Sequence, residues 1–291
     1  MSIATLLPLI IQLSLALMVF SIALSTRVED LTWLFRRPKL LLRSLLSMNV
    51  VMPVFAALLA KGFDLTPVVK GSLVLLAISP LPPIFPNKAL KAGGGRSYTI
   101  GLLVAATLIS IVFIPVALEI LQRAFGIPLQ MSPAAVVALV FWTLLLPLAL
   151  GVGVRRLALA FADRAGKPIA LVGTILLILA LLPVLIKVWP AMISLIGNGT
   201  ILVMVVFALV GLAAGHLLGG PDVQQRTVLA LSTATRHPGI AIAIAAVNFP
   251  EQKMAPAAIL LYLLVSALVA KLYLVWLKRR SVAPVPAPAG T

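Results

Sequence analysis

The chain contains no cysteine. Disulfides, thiolate metal sites and cysteine redox chemistry are thereby excluded, and the compartment has to be read from other signals. Acidic residues are scarce, seven Asp and Glu against 23 Lys and Arg, which leaves a net charge of +16. Histidine is rarer still, and His216 and His237 are too far apart to form a recognisable metal site. Charged residues make up only 10% of the 291 positions, whereas 62% are hydrophobic and the mean hydropathy is +1.18. That is more apolar surface than a soluble core can bury, so the chain reads as an integral membrane protein. The ten-residue alternation of an outer-membrane barrel is missing and long apolar runs stand in its place, which makes the fold all-α and polytopic. A basic balance also suits nucleic-acid binding, but that needs a basic face on a soluble domain, and none is left once the apolar runs are set aside. The basic residues serve helix orientation and contact with anionic lipid instead.

Apolar segments fall at 4–24, 40–60, 68–92, 98–122, 133–154, 168–189, 199–219, 225–249 and 255–277, the third and eighth with an interruption. Nine spans are therefore expected. Basic residues are dense in alternate connections, from Arg27 to Arg43, Lys88 to Arg96, Arg155 to Lys167 and Lys271 to Arg280, with Arg226 the sparsest member of this set. Placing that set in the cytoplasm puts the N-terminus outside and the C-terminus inside. The first run lacks a basic leader and is too long for a signal peptide, so it reads as a retained helix. Leu31 to Leu40, carrying Trp33, reads as an amphipathic linker along the membrane surface. The Pro- and Ala-rich residues 281–291 read as a disordered cytoplasmic tail.

Midway along the eighth run stand Ser232, Thr233, Ala234, Thr235, Arg236, His237, Pro238 and Gly239. An arginine at the bilayer centre costs about 2.5 to 3.5 kcal/mol on insertion scales, so it must face protein or a water-filled cavity. Pro238 removes a backbone donor and Gly239 relaxes the helix, which predicts a discontinuous helix lining a substrate cavity. The third run is interrupted by Pro80, Pro82, Pro83 and Pro86. Leu76-Ala77-Ile78-Ser79 ahead of that break resembles Leu229-Ala230-Leu231-Ser232 ahead of the other. Each broken run is next to last in its half, the halves being 1–122 with four helices and 133–278 with five. A five-helix unit that has lost its first member, repeated in tandem, is inverted across the membrane. Broken helices at matching places in inverted repeats point to a secondary transporter with a midplane site.

Six of the acidic residues lie in connections and Glu119 lies near the outer end of a span, so no carboxylate is expected at the membrane centre. Arg236 and His237 are the deep ionisable groups, and they favour an anionic substrate. The arginine fork suits carboxylate, sulfate or phosphate oxygens, and the half-helix after Pro238 offers amides and the positive end of its dipole. The competing role for Arg236 is to cap the carbonyl end of the preceding half-helix without meeting substrate. His237 either relays protons or, as a neutral ring, bonds freed backbone groups. Ser232, Thr233 and Thr235 would line the site from one broken helix, and Pro82, Pro83 and Asn87 from the other. Asn49, ahead of Pro53, is a second deep amide, suited to lining the site or to a helix-helix hydrogen bond. Ser232, Asn87 and Asn49 are the candidates for holding a coupling ion.

Nine spans, an external N-terminus, inverted units and broken next-to-last helices resemble the sodium/bile acid cotransporter family, its bacterial members in particular. The resemblance covers nearly the whole chain and is most specific from Leu229 to Pro250. It implies a core domain holding two crossing helices, a smaller panel domain, and transport of organic anions such as bile acids, pantoate or sulfated steroids. In sodium-coupled members the second crossing helix carries a Glu followed four residues later by Gln-Asn, where this chain has Ser232, Arg236 and His237. The Ser-Asn pair of the first crossing helix corresponds here to Pro86 and Asn87, so only the Asn is kept. Loss of the Glu argues against sodium coupling, and the Arg236 guanidinium is suited to the space of a missing sodium ion. No other cofactor, metal or nucleic-acid partner is expected. The expected activity is therefore non-enzymatic carriage of a small organic anion across the bilayer by alternating access. A proton-coupled or uncoupled exchanger or exporter of the same fold is the alternative. An anion channel would not need two opposed broken helices, and an intramembrane enzyme built on Ser232 and His237 would lack an acidic orienter.

Overall fold

The computed structural model describes residues 3–126, 129 and 132–281. Residues 282–291 of the expected tail lie outside it. Among the described residues every regular element is helical. The nine apolar runs all appear. The first is α1 (Ile3–Ala23), followed by a short α2 (Val28–Thr32). The second joins α3 (Pro38–Leu45) to α4 (Met52–Gly62) through a π turn at Leu46–Val51. The third is split into α5 (Pro67–Ile78) and α6 (Phe85–Lys91), and the fourth is α7 (Arg96–Phe125). The fifth joins α8 (Pro133–Val140) to α9 (Leu146–Leu157) through a second π turn at Phe141–Leu145. The sixth and seventh are α10 (Leu159–Ser194) and α11 (Thr200–Leu218). The eighth is split into α12 (Val223–Ala234) and α13 (Pro238–Asn248), and α14 (Ala255–Ser281) is the ninth. Seven of these segments are long and apolar enough to cross a membrane, and Leu9–Ala23 and Pro67–Ile78 are shorter apolar helices.

Both π turns have the same cause in the sequence. Pro53 and Pro147 follow them, each unable to donate to the carbonyl behind it and each crowding the preceding turn, so the helix widens ahead of the proline. The two breaks are also made by proline. Pro80 forces Ser79 into extended backbone, φ −73° and ψ 146°, and Pro238 does the same to His237, φ −81° and ψ 101°.

Two groups of helices result. In the smaller, α1 packs along α9 and α10, and α8 continues α9 through the second π turn. Glycines allow that approach: a Cβ on Gly151 would stand 2.4 Å from the Ala23 Cβ, and one on Gly173 would stand 3.0 Å from the Met18 Cγ. Most of α10 faces outward, as suits lipid. The larger group gathers α2 to α7 and α11 to α14, and every residue from Thr227 to Ala234 of α12 is buried in it. There α11 lies against α12 through Gly211, Gly215 and Gly219, spaced by four so that they share one face. The groups meet where α8 touches α7 and where α10 touches α14.

One expectation is corrected in detail. The polar stretch 159–167 is helical, so α10 starts ahead of the apolar run and only Ala158 separates it from α9. Ala, Arg and Lys sustain a helix as well as leucine does, and α10 simply continues into the interface. The linker at Leu31 to Leu40 runs from the end of α2 at Thr32 through a turn to the start of α3 at Pro38. It is pinned by fully buried Leu34 and by Arg37, whose guanidinium lies 3.7 Å from the Trp33 ring centroid.

Candidate functional site

The two breaks cross. The His237 amide donates to the Pro80 carbonyl at 3.0 Å and to the Ser79 Oγ at 3.1 Å, which ties the start of α13 to the end of α5. Ser79 Oγ itself donates to the Leu76 carbonyl at 2.8 Å. The Ile240 amide is taken by His237 Nδ1 at 3.3 Å, so His237 caps α13 with an unprotonated Nδ1 and its proton belongs on Nε2. At the other side of the break, the Tyr262 hydroxyl of α14 donates to the Ala234 carbonyl, the last of α12, at 2.8 Å. Backbone groups freed by Pro80 and Pro238 thus find partners in the protein, as a site inside a bilayer requires.

Arg236 is 2% exposed and lies across this junction. Its Nη2 donates to the Met48 carbonyl at 2.8 Å and its Nη1 to the Ser79 carbonyl at 3.3 Å, while Nε has no partner. Both carbonyls are left open by proline. In a π turn the Met48 carbonyl would accept from the residue five ahead, which is Pro53 and has no N–H. The Ser79 carbonyl ends α5, where the helix dipole is negative. The guanidinium expected to meet an anion is therefore turned to backbone carbonyls of two other segments, and not to the end of its own α12. No acidic side chain pairs with it among the described residues, whose ion pairs are Arg123–Glu119 and Arg155–Asp163.

A small cleft opens beside the junction, between the two helix groups. Pro80, Leu81, Pro83, His237 and Ile240 line it from the breaks, Thr107 from α7, and Val140, Thr143 and Leu144 from α8 and the π turn after it. Both groups contribute walls, so any relative movement changes its shape.

A model of the Sodium Bile acid symporter family matches residues 12–189, more than half of the chain. The chain belongs to that family. Sodium/bile acid cotransporter 4 of Rattus norvegicus is 27% identical over 223 residues, 75% of this chain and 51% of that protein. Sodium/bile acid cotransporter 4 of Homo sapiens is 26% identical over 223 residues, with the same coverage. The chain spans about half the length of these relatives. Membership of the Sodium Bile acid symporter family, with seven described segments long and apolar enough to cross a membrane, makes it an integral membrane protein.

Within this family member, the residues singled out from the sequence fall into three environments. His237 and Pro83 line the cleft, and half-buried Pro238 and exposed Gly239 open α13 next to it. Ser232, Thr233, Thr235, Arg236 and Pro82 are buried at the crossing. Ser232 and Thr233 both donate to the Leu229 carbonyl, at 2.9 and 2.8 Å, and Thr233 Oγ1 also pairs with Ser47 Oγ at 2.8 Å. Thr235 Oγ1 accepts from Lys88 Nζ at 3.1 Å, so a lysine counted with the basic connection Lys88 to Arg96 reaches the break. Asn87 and Asn49 are half-buried, the latter on the first π turn beside inward-turned Ser47 and Met48. Sequence reasoning passed over Thr107, Thr143, Ser47 and Tyr262. The first two stand on unbroken or merely widened helices and carry no local signal.

Tyr262 gives a direct test of the junction. Tyr262→Phe removes a hydroxyl of a residue 1% exposed and leaves the Ala234 carbonyl unsatisfied. We expect a loss of about 1–3 kcal/mol, read as a lower unfolding temperature in detergent. An unchanged unfolding temperature would show that the bond does not support the break.

Proposed function

We propose that this member of the family carries an organic anion by alternating access, with the larger helix group as the moving core and α1, α8, α9 and α10 as the panel. The observation that carries this reading is the cleft whose walls come from both groups and whose floor is the crossing of the two breaks. A carrier needs a site that a rigid-body movement can expose to either side, and discontinuous helices at a midplane junction supply one. The sign of the substrate follows from Arg236. Its charge is not cancelled by a carboxylate among the described residues, so the adjoining cleft is held at positive potential even though the guanidinium does not line it. The Nε2–H of His237 and the hydroxyls of Thr107 and Thr143 are the polar groups in the lining that would meet the anion, with Lys88 and Asn87 on its cytoplasmic approach.

The halves 1–122 and 133–278 would be related by inverted topology, the N-terminus would lie outside, and the membrane would be a bacterial inner membrane. Proteoliposomes holding the protein are expected to take up taurocholate, pantoate or a sulfated steroid saturably and to leave tetraethylammonium outside. Saturable uptake of the cation with none of the anions would overturn the proposal.

A further inference from the structure

We propose that Arg236 is a built-in cation standing where a carrier of this architecture would otherwise bind a coupling ion, so that the protein neither binds nor requires sodium. The inference deepens the carrier reading above and rests on it only where transport is concerned.

Discontinuous helices in transporters hold sodium through unwound carbonyls and through the carbonyl ends of half-helices. Those two kinds of oxygen are the ones that Arg236 uses here: the Met48 carbonyl in a π turn and the Ser79 carbonyl at the end of α5. The guanidinium is buried and bonded to both, so the negative end of α5 already has its positive charge. The neighbouring hydroxyls are committed as well. Ser79 Oγ joins the Leu76 carbonyl to the His237 amide, Ser47 and Thr233 bond each other, and Ser232 turns back on Leu229. A second cation entering this junction would find few oxygens to replace its water and would be repelled by the guanidinium, with no carboxylate to offset that repulsion. Arginine stays protonated, so the charge is permanent and the junction is always in the ion-loaded electrostatic state.

The test uses the full chain in lipid nanodiscs, without substrate. Wild-type protein is expected to bind no radioactive sodium saturably, and its unfolding temperature should agree within about 1 °C between sodium chloride and choline chloride at equal ionic strength. Arg236→Ala should unfold roughly 5 °C lower and should recover part of that loss in sodium but not in choline. Arg236→Lys, which keeps a charge in place, should remain indifferent to sodium. Saturable sodium binding by wild type, or a sodium response by the Lys variant equal to that of the Ala variant, would overturn the proposal. If the Ala variant does not fold, the wild-type binding measurement and the Lys variant decide. Taurocholate uptake into proteoliposomes should then be equal in sodium and choline. Absence of uptake in both media would count against the carrier reading or the probe, while the sodium-binding result would stand.

Discussion

Leucine at position 215 is expected to leave little folded protein. A Cβ on Gly215 would stand 2.3 Å from the Leu229 carbonyl oxygen and 2.5 Å from the Ala230 Cα, both backbone atoms of α12. A flexible side chain can swing aside, but a helix backbone cannot, so α11 and α12 must separate along their contact. The neighbouring glycines leave no room for a compensating tilt, because a Cβ on Gly211 would lie 3.0 Å from the Ala234 Cα and one on Gly219 would lie 2.6 Å from the Arg226 Cα. Overpacking of this kind costs about 3 kcal/mol or more. The gain in helix propensity from replacing glycine, about 0.8 kcal/mol, does not offset it. Because α12 ends at Ala234, its displacement also moves Arg236 and His237 away from Met48 and Ser79. Gly153→Ala is the control, since nothing lies within 4 Å of its Cβ position and it too sits inside a helix. That variant should extract from membranes as well as wild type or better, while Gly215→Leu should be lost from the monodisperse peak in size-exclusion chromatography. Equal recovery of both would show that α11 and α12 are not held by this contact.

The spans and both breaks were legible in the sequence because their causes are local. Hydropathy over about twenty residues identifies a helix that can cross, and Pro80 and Pro238 act on the residue directly before them. The extension of α10 was not legible from hydropathy, since Arg164 and Lys167 count as a connection there although they sustain a helix. The orientation of Arg236 depends on a carbonyl 188 positions away, at Met48. A signal for it did exist, in the proline five residues after Met48 that leaves a π-turn carbonyl open, but only the fold shows which cation closes it. The glycine spacing at 211, 215 and 219 was likewise present in the sequence but went unread, and it does not identify α12 as the partner. Thr107 and Thr143 gain meaning only from the cleft that they share.

The absence of native cysteine makes the movement itself accessible to measurement. Thr107 on α7 and Val140 on α8 face the same cleft from the two helix groups, and cysteine is no larger than either side chain, so neither replacement overpacks the cleft. In proteoliposomes, joining Thr107→Cys to Val140→Cys with a short, reducible thiol cross-linker should abolish uptake of whichever organic anion the wild type carries, and reduction should restore it. Each single variant, whatever uptake the loss of the Thr107 hydroxyl leaves, should be unchanged by the same treatment. If the cross-linked pair transports at the rate of the reduced protein, the two groups do not move against each other at this cleft, and the account of the protein as a carrier working between core and panel is contradicted.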